Sequence, residues 1–329
     1  MGRTLRRREF LGVLGGAATW PISARTQPAV VPLVAFLSAR PLNDSIQPLV
    51  SAFRQGLADA GYTDGSNLTI AYIWEVARIE QTTSLIAHLD RRPVSAIFAF
   101  GTVPAQVAKA ATATTPIVFV TGDDPVARGL VTTLNRPGSN VTGISFVSAA
   151  LASKRLQLLR SVVPKAELIG VLADAASPES QNQSADAQAA AQAIGQRLIV
   201  HSVDSDGDID AAFDDFVRQK AGALLIAGGP ALAAKGARLA TLTERHRLPT
   251  MYTFRNFAPG GLMSYGASVR EVMHQGGVYV GRVLRGEKPA DLPVVQPTKF
   301  ELVINAKTAR ALGLELSPML LALADEVIE

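Results

Sequence analysis

Along the chain, short runs of β-branched and aromatic residues alternate with longer stretches whose apolar positions recur every three or four residues. Val31–Leu37, Asn67–Trp74, Val94–Phe100, Ile117–Val120 and Val141–Phe146 read as strands. Between them, Ser45–Ala60, Ile79–Leu89, Val103–Ala113 and a short stretch over Val126–Leu130 read as helices. The strand segments are apolar at successive positions, as strands buried on both faces are, which predicts a parallel sheet of βαβ units. The same rhythm then restarts. Leu151–Val162, with Leu156, Leu159 and Val163 on one stripe, is a predicted helix, as are Glu179–Ile194, Ile209–Arg218 and Ala231–Arg245. Leu168–Leu172, Arg197–Val203, Ala223–Ala227 and Thr250–Tyr252 are the alternating strands. Two similar α/β lobes follow from this pattern, with the changeover near Gly143–Ala150. No low-complexity linker separates them, so they are expected to be closely coupled.

The tail breaks the rhythm. Gly261–Tyr265 predicts another short strand, Val269–Leu284 a Gly-containing helix, Gly286–Pro297 a Pro-rich connection, and Phe300–Ile304 a last strand before two short helices. A helix followed by a separate strand suits a chain that crosses back to the first lobe and then returns to the second.

The first 26 residues have a different character. Arg3, Arg6, Arg7 and Arg8 precede an apolar stretch from Phe10 to Ala18, then Trp20-Pro21 and small residues, the three-part layout of a secretory signal. Within it, Arg7-Arg8-Glu9-Phe10-Leu11 resembles a twin-arginine export signal, and the Gly-rich, weakly apolar core suits that route. Cleavage is expected near Thr26. The whole chain of 329 residues carries a formal net charge of +4. The first 26 residues hold five arginines and one glutamate, so the remainder is formally neutral and makes no electrostatic case for nucleic acid.

With 48% hydrophobic and 18% charged residues, a disordered or collagen-like chain is excluded. There is no cysteine, which removes disulfides, thiolate metal sites, cysteine nucleophiles and an N-terminal lipid anchor on Cys. No uncharged apolar run reaches the roughly 18–20 residues of a membrane span, so a soluble mature protein is expected. Dinucleotide, P-loop, nucleophile-elbow and zinc-protease motifs are missing. His88, His201, His246 and His274 lie far apart without ligand spacing, so no metal, no cofactor and no catalytic group is expected.

Ligands of parallel α/β sheets bind beyond the carboxyl ends of the strands. The loops at those ends supply the candidate ligand-binding residues: Ser38 and Arg40, Gly101 and Thr102, Gly122, Asp123 and Asp124, Ser145 and Phe146, Asp174, Gly229, and Tyr252 and Phe254. At Gly101-Thr102, glycine permits a close backbone approach, Thr102 is placed to cap the next helix and Pro104 has no N–H to lose, so the helix start suits a carboxylate. It equally suits an ordinary capped turn. One of Asp123 and Asp124 is a candidate partner for a ligand ammonium, while Asp124 before Pro125 also reads as a plain cap. Tyr252, Phe254, Phe257 and Tyr265 cluster in a chain with 6% aromatics and suit either a stacking wall or core packing.

Several stretches resemble a known family. Arg7–Trp20, Phe53–Tyr62 (FRQGLADAGY), Pro116–Pro125 (PIVFVTGDDP), Leu130–Gly143 (LVTTLNRPGSNVTG), Gly261–Gly266 (GLMSYG), Tyr279–Pro293 (YVGRVLRGEKPADLP) and Lys299–Leu314 (KFELVINAKTARALGL) are similar to the ABC-transporter substrate-binding family that includes tryptophan and tyrosine binders. The resemblance implies an α/β fold of the periplasmic-binding protein type I kind. It has two Rossmann-like lobes with parallel sheets, three crossovers and a ligand cleft between the lobes. In this chain it implies a signal peptide over 1–26, a first lobe of 27–145 plus about 266–292, and a second lobe of 146–265 plus about 293–329. It implies a monomer in the periplasm that closes its lobes on an amino-acid-like or aromatic solute and delivers it to an ABC permease in the inner membrane.

A periplasmic sensor that presents its closed form to a receptor is the alternative from another class, and a secreted α/β enzyme is a third. A repressor of this fold would need a helix-turn-helix where the export signal stands. Substitution of Asp123 or Thr102 is expected to weaken ligand binding several-fold without unfolding the protein. Unchanged affinity in both variants would displace the pocket.

Overall fold

The computed structural model describes residues 31–44, 46–76, 78, 80, 85, 93–146, 151–255 and 260–329. The expected export signal with Arg7, Arg8, Phe10 and Leu11, most of the expected helix over Ile79–Leu89, the changeover residues 147–150, His88 and Phe257 lie outside the described residues.

The first lobe is built on a five-stranded sheet in the order β2-β1-β3-β4-β5, parallel throughout. Its strands are β1 (Leu33–Ser38), β2 (Thr69–Ile73), β3 (Ala96–Phe100), β4 (Ile117–Thr121) and β5 (Val141–Ser145). Every residue of β1, β4 and β5 is buried, as their uninterrupted apolar runs predict. Helices α1 (Gln47–Asp59) and α2 (Thr102–Ala111) cover the sheet. The expected helix over Val126–Leu130 is instead a series of turns. Asp124 Oδ1 accepts from the N–H groups of Val126 and Ala127, and Leu130 N–H donates to the Pro125 carbonyl, which closes the segment before a second helical turn forms.

The second lobe carries a seven-stranded sheet in the order β12-β11-β10-β9-β8-β6-β7. After α3 (Ala152–Val162) come β6 (Leu168–Asp174), α4 (Pro178–Ala193), β7 (Arg197–Val203), α5 (Asp206–Arg218) and β8 (Ala223–Ile226). Local signals set the helix starts. Ser177 accepts from Ser180 N–H ahead of Pro178, and Ser205 with Asp208 forms a capping box. The helix expected over Ala231–Arg245 breaks at Lys235 into α6 (Pro230–Ala234) and α7 (Gly236–Arg245), where the backbone leaves helical angles at φ −100° and ψ 17°. Strands β9 (Thr250–Tyr252) and β10 (Met263–Ala267) follow.

The chain passes between the lobes three times. Beyond β5 it enters α3, and beyond β10 it returns as α8 (Val269–Leu284), which packs on α1 and on β3, β4 and β5. Residues Leu292–Val295 then run beside β5: Leu292 O accepts from Thr142 Oγ1 at 2.6 Å, and Val295 exchanges backbone bonds with Gly143 and Ser145. From there the chain re-enters the second sheet as β11 (Phe300–Asn305), followed by α9 (Ala306–Leu312), α10 (Pro318–Leu323) and β12 (Glu326–Ile328). Because β11 enters from the opposite end, it pairs antiparallel with β10, so this sheet is not parallel throughout. Strand β12 is three residues long and was not legible as a strand.

Glycines decide the contact that makes the first return possible. A Cβ on Gly56 of α1 would overlap the His274 carbonyl of α8, and one on Gly277 would overlap the Phe53 carbonyl. On Gly281 it would meet the Ala60 methyl, and on Gly276 the Phe98 ring. The two helix backbones therefore touch. His274 Nε2 meets Asp59 Oδ2 at 2.7 Å, and Arg285 Nη1 donates to the Ala60 carbonyl at 2.7 Å, which pins the same pair from its exposed side.

Alanine in place of a helical glycine ordinarily stabilises by about 1 kcal/mol, so Gly277→Ala separates propensity from packing. Overpacking against backbone atoms costs about 1–3 kcal/mol and is expected to win, lowering the thermal midpoint by several degrees. A midpoint at or above that of the parent protein would refute the backbone contact.

Candidate functional site

The carboxyl ends of β1, β3, β4 and β5 face those of β6, β8 and β9 across a cleft. A cavity of ≈ 60 Å³ lies between them. The first lobe lines it with Ala39 and Arg40 beyond β1, Phe100 and Gly101 at the end of β3, Gly122 beyond β4 and Phe146 beyond β5. Across from these stand Glu179 in the first turn of α4, Gly229, Pro230 and Ala233, and Phe254 beyond β9. A recess of ≈ 200 Å³ shares Ala39, Gly101, Glu179 and Pro230 with the cavity and adds Thr102, Val103 and Asp174.

Apolar rings and two opposite charges make up the cavity. Phe146 and Phe254 come from different lobes and meet edge to face, with centroids 5.5 Å apart. Arg40 is 5% exposed, and burial lowers its guanidinium to about 10, which leaves it a cation at neutral pH. Its N–H donates to Ser38 Oγ at 3.0 Å, which shapes the turn that carries it. The Glu179 carboxylate accepts from Gln183 Nε2 at 3.1 Å. A Cβ on Gly122 would overlap that carboxylate, so only glycine lets the end of β4 come this close.

At the other end of the recess, Asp174 receives the N–H groups of Ala231 and Ala176 at 2.9 and 3.1 Å. Burial raises its pKa, and these bonds with that of Ser177 oppose the rise.

Among the described residues, two further contacts join the lobes beside the cavity. Asp123, 2% exposed, accepts from Thr102 Oγ1 at 2.7 Å, from Asn182 Nδ2 at 2.8 Å, and from Arg128 Nη2 at 3.4 Å. Asn182 sits on α4 of the second lobe, so this carboxylate of the first lobe is a clasp between lobes. The Phe146–Phe254 contact is the other, and one hydrophobic core runs through both residues.

The structure sorts the candidate residues by position. Arg40, Gly101, Gly122, Phe146, Gly229 and Phe254 line the cavity, and Thr102 and Asp174 line the recess. Ser38, Ser145 and Asp123 stand behind them; Ser145 Oγ donates to the Asp123 carbonyl at 3.1 Å.

One expectation is corrected, and three open alternatives are decided. Thr102 does not cap α2. Gly101 is the cap residue, in a left-handed conformation with φ 113°, and the Thr102 hydroxyl goes to Thr121 and Asp123. Asp124 is exposed and caps its own turn. Tyr252 is fully buried in the second lobe, with its phenol pushed up to about 12 by burial. Tyr265 packs in the second lobe's core with its ring 6.3 Å from that of Phe300. Neither tyrosine lines the cavity or the recess.

Glu179, Phe100 and Asn182 were missed. Ser177-Pro178-Glu179 reads locally as a helix start with its favourable acid, and nothing in that motif says which way the carboxylate faces. The signal available was position: Glu179 opens the helix directly after the carboxyl end of β6. Among the described residues no group of His, Asp and Glu is placed to hold a metal, and no helix is long and apolar enough to cross a membrane.

Residues 34–328 match the ABC transporter substrate binding protein family. The chain belongs to that family. A tyrosine-binding protein of Clostridioides difficile (strain R20291) is 25% identical over 272 residues, which is 82% of this chain and 78% of the relative. The Streptococcus pneumonia ABC domain solved in complex with L-Trp is 24% identical, overlays with a TM-score of 0.81, and covers 90% of this chain and 99% of its own. A substrate-binding protein with adhesive properties from Clostridium difficile, solved ligand-free and open, is 24% identical with a TM-score of 0.66, covering 91% of this chain and 99% of its own. These overlays establish the type I-like periplasmic-binding fold for this family member.

Asp123→Ala tests the clasp. It leaves the Thr102 hydroxyl and the Asn182 amide without their buried acceptor, which costs about 1–3 kcal/mol. The expected result is a lower thermal midpoint together with a larger radius of gyration in X-ray scattering, as the lobes part. An unchanged radius would show that Asp123 does not hold the lobes together.

Proposed function

We propose that the chain is the exported, periplasmic solute-binding component of an ABC importer. Its cleft takes an α-amino acid with an aromatic side chain, and its closed form delivers that ligand, as a monomer, to an inner-membrane permease. The observation that carries this reading is the meeting of a buried cation and an anion from opposite lobes in one cavity walled by phenylalanines.

A free amino acid is a zwitterion attached to a side chain. Its carboxylate suits the Arg40 guanidinium and the first turn of α2, where helix N–H groups lack internal partners. Its ammonium suits Glu179. An aromatic side chain suits the edges and faces of Phe100, Phe146 and Phe254.

Burying ionised groups is unfavourable unless opposite charges meet them, so a ligand that carries both charges offsets the desolvation of both protein groups. A ligand with one charge leaves the other group worse off. The tyrosine-binding relative and the L-Trp complex support the ligand class. The higher overlay score with the L-Trp complex than with the open, ligand-free structure supports reading the present arrangement of lobes as closed.

Binding without turnover is the function this reading assigns, in keeping with the substrate-binding family. Arg40 and Glu179 come from different lobes, so both contacts form together only when the lobes close. Ligand occupancy then shifts the open–closed balance, which is the form a permease reads. The Arg7-Arg8-Glu9-Phe10-Leu11 segment supports export of the chain.

The test is calorimetry and thermal shift on the chain from Gln27 onward against the standard amino acids. L-Tryptophan, L-tyrosine or L-phenylalanine is expected to raise the midpoint. Tryptamine, which lacks the carboxylate, and indole-3-propionate, which lacks the ammonium, are expected not to. Arg40→Ala and Glu179→Gln should each weaken binding by about ten-fold or more, since each removes one partner of a buried charge contact. Equal binding of an analogue that lacks one charge would overturn the zwitterion reading.

A further inference from the structure

Gln183 of α4 is 2% exposed, and a buried amide is unfavourable unless its donors and its acceptor find partners. Its hydrogen bonds join three stretches of the second lobe. Nε2 donates to Glu179 Oε1 at 3.1 Å, one helical turn earlier. Oε1 accepts from Gly228 N–H at 3.1 Å, in the loop beyond β8, and from the Thr253 hydroxyl at 2.9 Å, beyond β9. The same hydroxyl lies 3.1 Å from Gly228 N–H and 3.0 Å from the Ile226 carbonyl, so it is tied to the end of β8 as well.

A backbone N–H can only donate. The amide atom that faces Gly228 is therefore the oxygen, which leaves the NH2 group facing Glu179. The orientation of the amide is thus set by the main chain beyond β8, independently of the carboxylate it meets. Both anchors adjoin the cavity in sequence, since Gly229 follows Gly228 and Phe254 follows Thr253. On its cleft side the Glu179 carboxylate meets Gly122, where no Cβ fits.

We infer that Gln183 is a positioning residue: anchored to Gly228 and Thr253 behind the cavity wall, it holds the Glu179 carboxylate where a ligand ammonium meets it. This rests on the reading that Glu179 takes the ammonium. Gln183, its anchors and Glu179 all belong to the second lobe, so the charge is in place before the lobes close. A preset charge spares the ligand the cost of ordering that side chain on binding.

A double-mutant cycle tests it. Wild type, Gln183→Met, Glu179→Gln and the double variant are titrated with L-tryptophan and L-tyrosine, and each is unfolded in urea without ligand. Methionine keeps the length of glutamine and loses its hydrogen bonds. Gln183→Met is expected to weaken binding about ten-fold when Glu179 is present, the scale of one hydrogen bond to a charged group. In the Glu179→Gln background the same change should alter affinity by less than about two-fold, the mark of residues that act through one another. Thr253→Val keeps the amide and removes a hydroxyl that fixes it. It should weaken binding about two- to five-fold with Glu179 present and leave the Glu179→Gln protein unchanged. This variant carries the cycle if Gln183→Met fails to fold.

Losses of equal size in both backgrounds would overturn the proposal, because they would mark Gln183 as structural. If wild type binds neither probe, or Glu179→Gln leaves affinity unchanged, the ligand reading fails by itself. Whether Gln183 holds Glu179 is then decided by the ligand-free urea midpoints of the same cycle: non-additive shifts support it and additive shifts sink it.

Discussion

Two helix backbones touch where α8 lies on α1, and the two-lobed architecture depends on that contact. Gly56 and Gly277 bring each helix against the carbonyls of the other, closer than any side chain permits. The contact recruits a segment more than 200 residues distant in sequence into the first lobe, and it positions both later crossings, since α8 is preceded by β10 of the second sheet and followed by the run beside β5. Any larger residue at these positions would push α8 off the sheet and move the ends of both crossings with it. Dispersion and hydrophobic burial supply the attraction, while the missing Cβ atoms permit the distance at which it acts.

With the crossings so placed, the cleft has walls from two separate sheets. Each wall brings what parallel sheets offer at their carboxyl ends: helix starts, tight glycine turns and short polar loops. Charge is divided between the two walls. The cation, Arg40, belongs to the first lobe and the anion, Glu179, to the second. A zwitterionic ligand bridging them would couple occupancy to lobe position without any further device. The Asp123–Asn182 bond and the Phe146–Phe254 contact add attraction between lobes that involves no ligand atom. On the proposed reading the present arrangement is the closed one, and the ligand's part would be to bias the balance between two states.

Much of this was legible in advance. Strand runs buried on both faces, capped helices and the irregular tail predicted two α/β lobes and a chain that returns. Val269–Leu284 was bounded as observed, because Ser268 caps it and Gly286 ends it. What went wrong did so for physical reasons. The turns after Asp124 have helical spacing but a side chain that satisfies the N–H groups locally. Strand β12 is too short to show a period. Tyr252 and Tyr265 share their local sequence character with Phe254, yet they lie inside strands β9 and β10, whose packing buries them, while Phe254 lies in the loop beyond β9 and reaches the cavity.

Sequence alone determined which segments become strands and helices, because period, caps and turn residues act over a few positions and carry their own energetics. It also determined the neutral charge of the chain beyond the basic first 26 residues and the loops from which a site could be made. Tertiary structure alone decided which loops meet. Glu179 reads locally as a helix-start acid and Asp123 as a ligand for an ammonium. Only the docking of one lobe against the other turns Glu179 into the charge at the cavity and Asp123 into a clasp, since contacts between residues 59 positions apart and on different sheets are set by packing and leave no local trace.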